Sequence, residues 1–127
     1  MDLSAFVPLL GHPRVLEASA DDPRRHVVIR DGETITGVAA YEPLFGPRAE
    51  GVVAIRQDAS DAILPYLVDA LLDCTHAAGL HAVRFVFGSA EQHWRAERLR
   101  SIHGDCSVRR DWLDVRLHGD RLAVGAF

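Results

Sequence analysis

The 127 residues include seven histidines, two cysteines and fourteen arginines, with no lysine. These are the side chains with the widest chemical repertoire, and their spacing excludes more than it suggests. His76 and His81 straddle an expected helix end, and His93 and His103 are too far apart for one helical face. No H-x-x-x-H or H-E-x-x-H pair is present, so no metal site is expected. Cys74 and Cys106 form no C-x-x-C and read as reduced thiols, which suits a bacterial cytoplasmic protein. A Ser-His-Asp hydrolase has as little support, because G-x-S-x-G is missing. Arg95, Arg98, Arg100, Arg109 and Arg110 could meet an acidic partner, but Glu91, Glu97, Asp105 and Asp111 are interleaved with them. That pattern favours a solvated, ion-paired face. The exclusive use of arginine fits GC-rich codon usage, or a choice of bidentate anion binding.

The stretch "RQDASDAILPYL", residues 56–67, is the other place where chemistry could sit. It has the pattern of a buried strand handing over to an amphipathic helix. In many α/β proteins that joint is glycine-rich, because its backbone N–H groups cradle phosphates. Here it has no glycine, and it carries Asp58, Asp61 and Pro65. Ser60 or Asp61 can cap the helix, its oxygen taking the N–H groups that a phosphate would use. Asp61 also satisfies the positive end of the helix dipole. Pro65 has no N–H to give.

The surrounding elements must position these residues. Residues 1–25 are weakly patterned, with a short helix or strand at "LSAFVPLL" and a second short segment at "RVLEAS". "HVVIRDGETITGVAAY" reads as two strands around Asp31-Gly32, a dipeptide that tolerates a hairpin turn. "EGVVAIR" is a compact apolar strand over 50–56. Ile63, Leu67, Leu71, Cys74 and Ala78 recur at helical spacing, so a helix is expected over 61–78, stopped by Gly79. "HAVRFVF" follows as a strand over 81–87, which makes a right-handed βαβ unit with parallel strands. "SAEQ" has the form of a capping box, Ser89 with Gln92, opening a helix to about His103. Val108 to Leu117 close the chain as one strand or a tight pair. Tyr41 and Tyr66 are expected in packing roles.

The order of hairpin, strand, crossover helix, parallel strand, helix and terminal strands resembles the GNAT superfamily of N-acetyltransferases over roughly residues 26–117. "GETITGVAAY" with Gly37, "RAEGVVAI" and "HAAGLHAVRFVF" carry the likeness, which is nearest to bacterial domains that acetylate protein lysines. The resemblance implies an α/β (α+β) fold: a mixed, splayed central sheet with a β-hairpin, a crossover helix between two parallel strands and a second helix before the terminal strands. A short N-terminal segment, 1–25, precedes the GNAT-like domain, 26–127. It further implies acetyl-CoA or another acyl-CoA between strands 50–56 and 81–87, with backbone groups of Val52, Val53 and Ala54 gripping the pantetheine arm. Ser60 and Ala62 would lie at the pyrophosphate. Glu50 matches the glutamate that acts as general base, taking the proton from an attacking amine directly or through water. The alternative for Glu50 is a solvated residue at a strand start, paired with Arg48 or another arginine.

The departures from the family are as informative. Its phosphate motif, Arg/Gln-x-x-Gly-x-Gly/Ala, counted back without gaps from Gly79, falls on Ala59-Ser60-Asp61-Ala62-Ile63-Leu64, where no specified position matches. Leu64 puts a branched side chain where a phosphate would approach. The family's general-acid tyrosine is missing from helix 89–103, where His93, His103 or nearby Cys106 would have to substitute. The arginine group could otherwise meet the 3′-phosphate of CoA.

Two readings follow. One is a degenerate GNAT-like domain, without ordinary acetyl-CoA-dependent transfer, that binds a partner or small ligand. The other is an acyl-CoA-dependent N-acyltransferase acting on an amine with Glu50 as base. Only about 25 residues precede the hairpin, so the acceptor side must be abbreviated or supplied by a second chain or a protein partner; a homodimer is expected. A net charge of −4 does not support a nucleic-acid footprint. No apolar run reaches the ~20 residues that span a bilayer, and the opening residues, with Asp2 and no basic region, do not read as a secretory signal.

Overall fold

A computed structural model of the chain describes residues 3–100 and 106–117. Strand β1 (Phe6–Gly11) leads into a short helix, α1 (Arg14–Ser19), and then the hairpin β2 (His26–Asp31) and β3 (Thr34–Pro43). Gly32 takes a positive φ of 63° at the hairpin tip. After it come β4 (Arg48–Arg56), helix α2 (Leu64–Ala77), β5 (Ala82–Val86), helix α3 (Ala90–Arg100), β6 (Cys106–Val108) and β7 (Trp112–Arg116). The sheet order is β2-β3-β4-β5-β7-β6, and β1 is a further strand paired with β4. This is the mixed sheet and three-helix arrangement of a GNAT-like fold.

Alternation along the strands divides the sheet into two faces. Ala39, Tyr41, Ala49, Val53 and Ile55 point into the larger core, with Leu67, Leu71 and Leu72 of α2 and Ala96 and Leu99 of α3. Their neighbours Val38, Ala40, Val52 and Ala54 point to the opposite face, where Val15 and Leu16 of α1 cover them. Close packing of α2 on β3 explains Gly37: a Cβ there would stand 2.7 Å from a Leu67 methyl.

The helix expected over 61–78 divides into a 3-10 turn over Asp61–Ile63 and the α-helix proper from Leu64. Pro65 is tolerated because it sits in the first turn, where its missing N–H would have no partner. At the other end, Gly79 has φ 83°, and the amides of Gly79 and Leu80 donate to the carbonyls of His76 and Thr75. That is a Schellman stop. Beyond Gly79, β5 runs parallel to β4, and the terminal segment is a tight antiparallel pair rather than one strand. Tyr41 is buried as expected, but Tyr66 is 70% exposed and packs in no core.

Candidate functional site

The parallel ladder between β4 and β5 is short. Arg48, Ala49 and Glu50 pair with Ala82, Val83 and Arg84, and then the two strands part. In a splayed sheet that gap leaves one edge of β4 with free amides and carbonyls, and Val52, Val53 and Ala54 are the residues expected to offer them. Here β1 occupies that edge. It runs antiparallel to β4, with Phe6 opposite Arg56, Pro8 opposite Ala54, Leu10 opposite Val53 and Gly11 opposite Val52. The other edge of β4 is paired with β3 over Ala49–Ile55. Val52, Val53 and Ala54 are therefore flanked by strands on both sides.

The local sequence explains why β1 fits. At the point where β4 and β5 diverge, Gly11 crosses so close to Gly51 that a Cβ on Gly11 would lie 2.3 Å from the Gly51 carbonyl oxygen. Gly11 also has φ 91°, a conformation open mainly to glycine. A bulge between Pro8 and Leu10 lets both Leu9 and Leu10 be buried.

Polar groups of β1 left off the β4 ladder are met by side chains of α3. Gln92 Oε1 accepts from the Gly11 amide at 3.0 Å, and its Nε2 donates to the Gly11 carbonyl at 3.1 Å and the Pro8 carbonyl at 3.5 Å. Arg95 donates to the Leu9 carbonyl at 3.3 Å. Ser89 does cap α3, accepting from the Gln92 amide at 3.2 Å. The Gln92 side chain does not close a capping box; it turns to β1 and to the Gly88 amide.

Ahead of α2 the Ser60 hydroxyl accepts from the Ala62 amide at 3.2 Å, so Ser60 rather than Asp61 caps the 3-10 turn that leads into the helix, whose own first position, Ile63, has no side-chain cap. Asp58 is taken by Arg56, whose Nε donates to it at 3.2 Å, and that hydrogen bond holds its carboxyl below the usual range. Ser60 and Ala62, expected at a pyrophosphate, are thus bonded to each other. The residues present do not fit a bound acyl-CoA: the strand edge for its arm is paired, and the mouth for its diphosphate is capped by its own chain.

Glu50 lies on the α1 face and is 5% exposed. Its partner is Arg14, the first residue of α1, and not the neighbouring Arg48. One guanidinium nitrogen of Arg14 donates to Glu50 Oε1, and another donates to Glu42 at 3.1 Å. Glu50 Oε2 is buried without a hydrogen bond. Because Glu42, Glu50 and Arg84 are register neighbours on β3, β4 and β5, and Asp114 faces Arg84 from β7, a charged row crosses four strands. Arg84 donates to both oxygens of Asp114, at 2.8 and 3.1 Å, and lies over the Trp112 ring at 4.4 Å. The Asp114 carboxylate holds the Arg84 guanidinium above its ordinary pKa.

Of the candidate acids, His93 makes an edge contact with the Phe87 ring. His103 lies outside the described residues. Cys106 is half-buried against the core. Arg95 and Arg100 pair with Glu91 and Glu97, as an ion-paired helix face requires; Asp105, also part of that expectation, is outside the described residues. Among the described residues no cluster of three or more metal-ligating side chains occurs. None of the described helices is long and apolar enough to cross a membrane.

Arg14, Gln92 and β1 are the parts of this site that sequence reading did not assign. The signal for Gln92 was its place three residues after Ser89; only the register of β1 shows what it binds.

These features define a class: the fold is that of the GNAT N-acetyltransferases. Two solved structures carry the likeness. One is yncA from Salmonella typhimurium, assigned as an acetyltransferase and solved with its cofactor acetyl-CoA; it superimposes with a TM-score of 0.57 at 16% identity, over 73% of this chain and 64% of that one. The other is a ribosomal-protein-alanine N-acetyltransferase from Brucella melitensis, with a TM-score of 0.54 at 20% identity, over 81% of this chain and 72% of that one. The chain thus spans less than two thirds of the first structure's length. No protein-family model and no curated protein matches the sequence.

Proposed function

We propose that the chain is a degenerate member of the GNAT superfamily, a binding or regulatory domain that lacks ordinary acetyl-CoA-dependent transfer. The observation that supports this reading is β1 on the edge of β4. To seat a pantetheine arm along Val52–Ala54, β1 would have to leave. Exposing Leu9 and Leu10 alone would cost about 3–6 kcal/mol, and the Gln92 amide would lose its partners as well. A site of about 1 µM intrinsic affinity would fall to roughly the millimolar range. The capped mouth of α2 acts in the same direction.

A calorimetric titration of the full chain with acetyl-CoA tests this. The expected result is no saturable binding up to millimolar ligand. A one-to-one isotherm in the micromolar range that persists when Arg109 and Arg116 are replaced by glutamine would overturn the reading.

A second reading rests on Glu50. A buried carboxylate with one oxygen free of hydrogen bonds could accept a proton from an amine, so an N-acyltransferase whose slot opens when β1 withdraws would already hold its base. The abbreviated acceptor side would then come from a second copy or another protein partner, and a monomeric light-scattering mass at working concentration would count against that supply.

A further inference from the structure

We infer that the face of the sheet opposite α2 and α3 carries a binding pocket for a compact polyanion, at the paired end of β4 and β5. Helix α1 covers β3 and part of β4, and no described helix covers β5, β7 and β6 on that side. A depression of about 510 Å³ opens there, lined by Arg48, Arg84, Arg109 and Arg116, with Ser107 and Asp114 among the other residues. That volume is within the range of small-molecule sites.

Among the described lining residues four guanidinium groups stand against one carboxylate, which makes this surface cationic on a chain whose net charge is −4. The cations come from four places in sequence, the start of β4, the middle of β5, the β6–β7 turn and the end of β7, so only the fold assembles them. Arg84 is fixed from behind: Asp114 takes two of its five donors and the Trp112 ring lies against it. Its remaining donors make no hydrogen bond among the described residues, so a ligand would meet a pre-oriented fork, which lowers the ordering cost of binding. Trp112 itself also donates to Asp114, at 3.1 Å, and so keeps that carboxylate turned to Arg84.

The chemistry of the ligand follows from what lines the site. Planar, multidonor guanidinium groups match the oxygens of phosphate or carboxylate groups. Leu44, Ala49, Ala82 and Val115 supply apolar lining, and no aromatic ring is among the described lining residues, so these offer no platform on which to stack a base. A small phosphorylated or polycarboxylate metabolite fits better than a nucleotide. The pocket contains no residue of β1 or α2, so its occupancy is independent of whether the splay excludes a coenzyme.

The probes are inorganic pyrophosphate and citrate, titrated calorimetrically into the full chain at low ionic strength, where screening is weakest. One-to-one saturable binding of at least one probe is expected, and sodium chloride at matched ionic strength should not reproduce it. The double variant Arg109→Gln/Arg116→Gln removes two exposed cations and leaves the Arg84–Asp114 pair whole; it should weaken binding by at least about tenfold. Arg24→Gln/Arg30→Gln, two cations elsewhere on the surface, should leave it unchanged. Absence of saturable binding by both probes, equal loss in both double variants, or no loss in the pocket variant would each overturn the assignment. Repeating the acetyl-CoA titration in the pocket variant separates this site from the splay: binding lost there belongs to the arginines, and binding retained there belongs to β4.

Discussion

A coenzyme of the GNAT kind would be held at two places, and this chain closes them by different means. Ahead of α2 the barrier is made of side chains: an exposed serine caps the first turn, a leucine stands where the family motif has a small residue, and an aspartate and a proline flank it. Along β4 it is made of backbone: a whole strand is laid into the splay, its leucines buried and its loose polar groups tied to Gln92 and Arg95. The first barrier is local and shallow, since removing one cap costs about 1 kcal/mol. The second is cooperative, since no part of β1 can lift without exposing core. The larger cost that a ligand in the splay would have to meet is therefore that of the strand.

Mutations at the two places should separate them. The largest effect is expected at the crossing of Gly11 and Gly51. Gly11→Ala forces a Cβ to 2.3 Å from a carbonyl oxygen at a positive φ, so denaturant titration should show a loss of about 3–5 kcal/mol. Gly32→Ala, also at positive φ but with open space around it, should lose only about 1–2 kcal/mol. Similar losses at both glycines would mean that the crossing is not tight.

Next comes Gln92→Leu, which leaves the Gly11 amide and carbonyl buried without their partner and should cost about 2–4 kcal/mol. It should also loosen β1 more than the rest of the sheet, seen as faster amide exchange confined to residues 6–11. Uniform loosening would make Gln92 a general core residue.

Arg14→Ala strands the Glu50 carboxylate and should cost about 1–3 kcal/mol, less than a fully buried pair because Arg14 is 50% exposed. Adding Glu50→Gln should recover much of that loss, because an amide tolerates the site uncharged; a double-mutant cycle reads the coupling. Additive losses would sink the pairing. The smallest effect belongs to Ser60→Ala, about 1 kcal/mol or less, with no gain in acetyl-CoA affinity while β1 remains in place.

The same contrast explains what could be read from the sequence. The α2 mouth was legible because capping and proline chemistry act over a few residues: the cap, the Gly79 stop and the loss of the phosphate motif all follow from local spacing. The hairpin was legible from β-rich runs around Asp31-Gly32 and the βαβ unit from periodicity, while the closing segment read as one strand or a tight pair. The seat of β1 was not, because Phe6–Gly11 has the composition of any short apolar strand and its partner lies more than forty residues away. An arginine partner for Glu50 was legible, but whether it was Arg48, two residues away, or another arginine was not. The true partner, Arg14, comes from α1 folding over the opposite face. Side-chain alternation turns Arg48 and Glu50 to the same side, yet it is Arg14 that pairs with both Glu42 and Glu50. Likewise, the cationic pocket draws on four separated segments, and no window of sequence contains it.

Hydrogen exchange on the intact chain, with and without millimolar acetyl-CoA, tests most directly whether β1 holds the edge of β4. Slow exchange at residues 6–11 and 52–56, unchanged by the coenzyme, is the expected result. Rapid exchange across 6–11 on adding acetyl-CoA, with protection kept at 52–56, would show the strand displaced by a ligand and would contradict it.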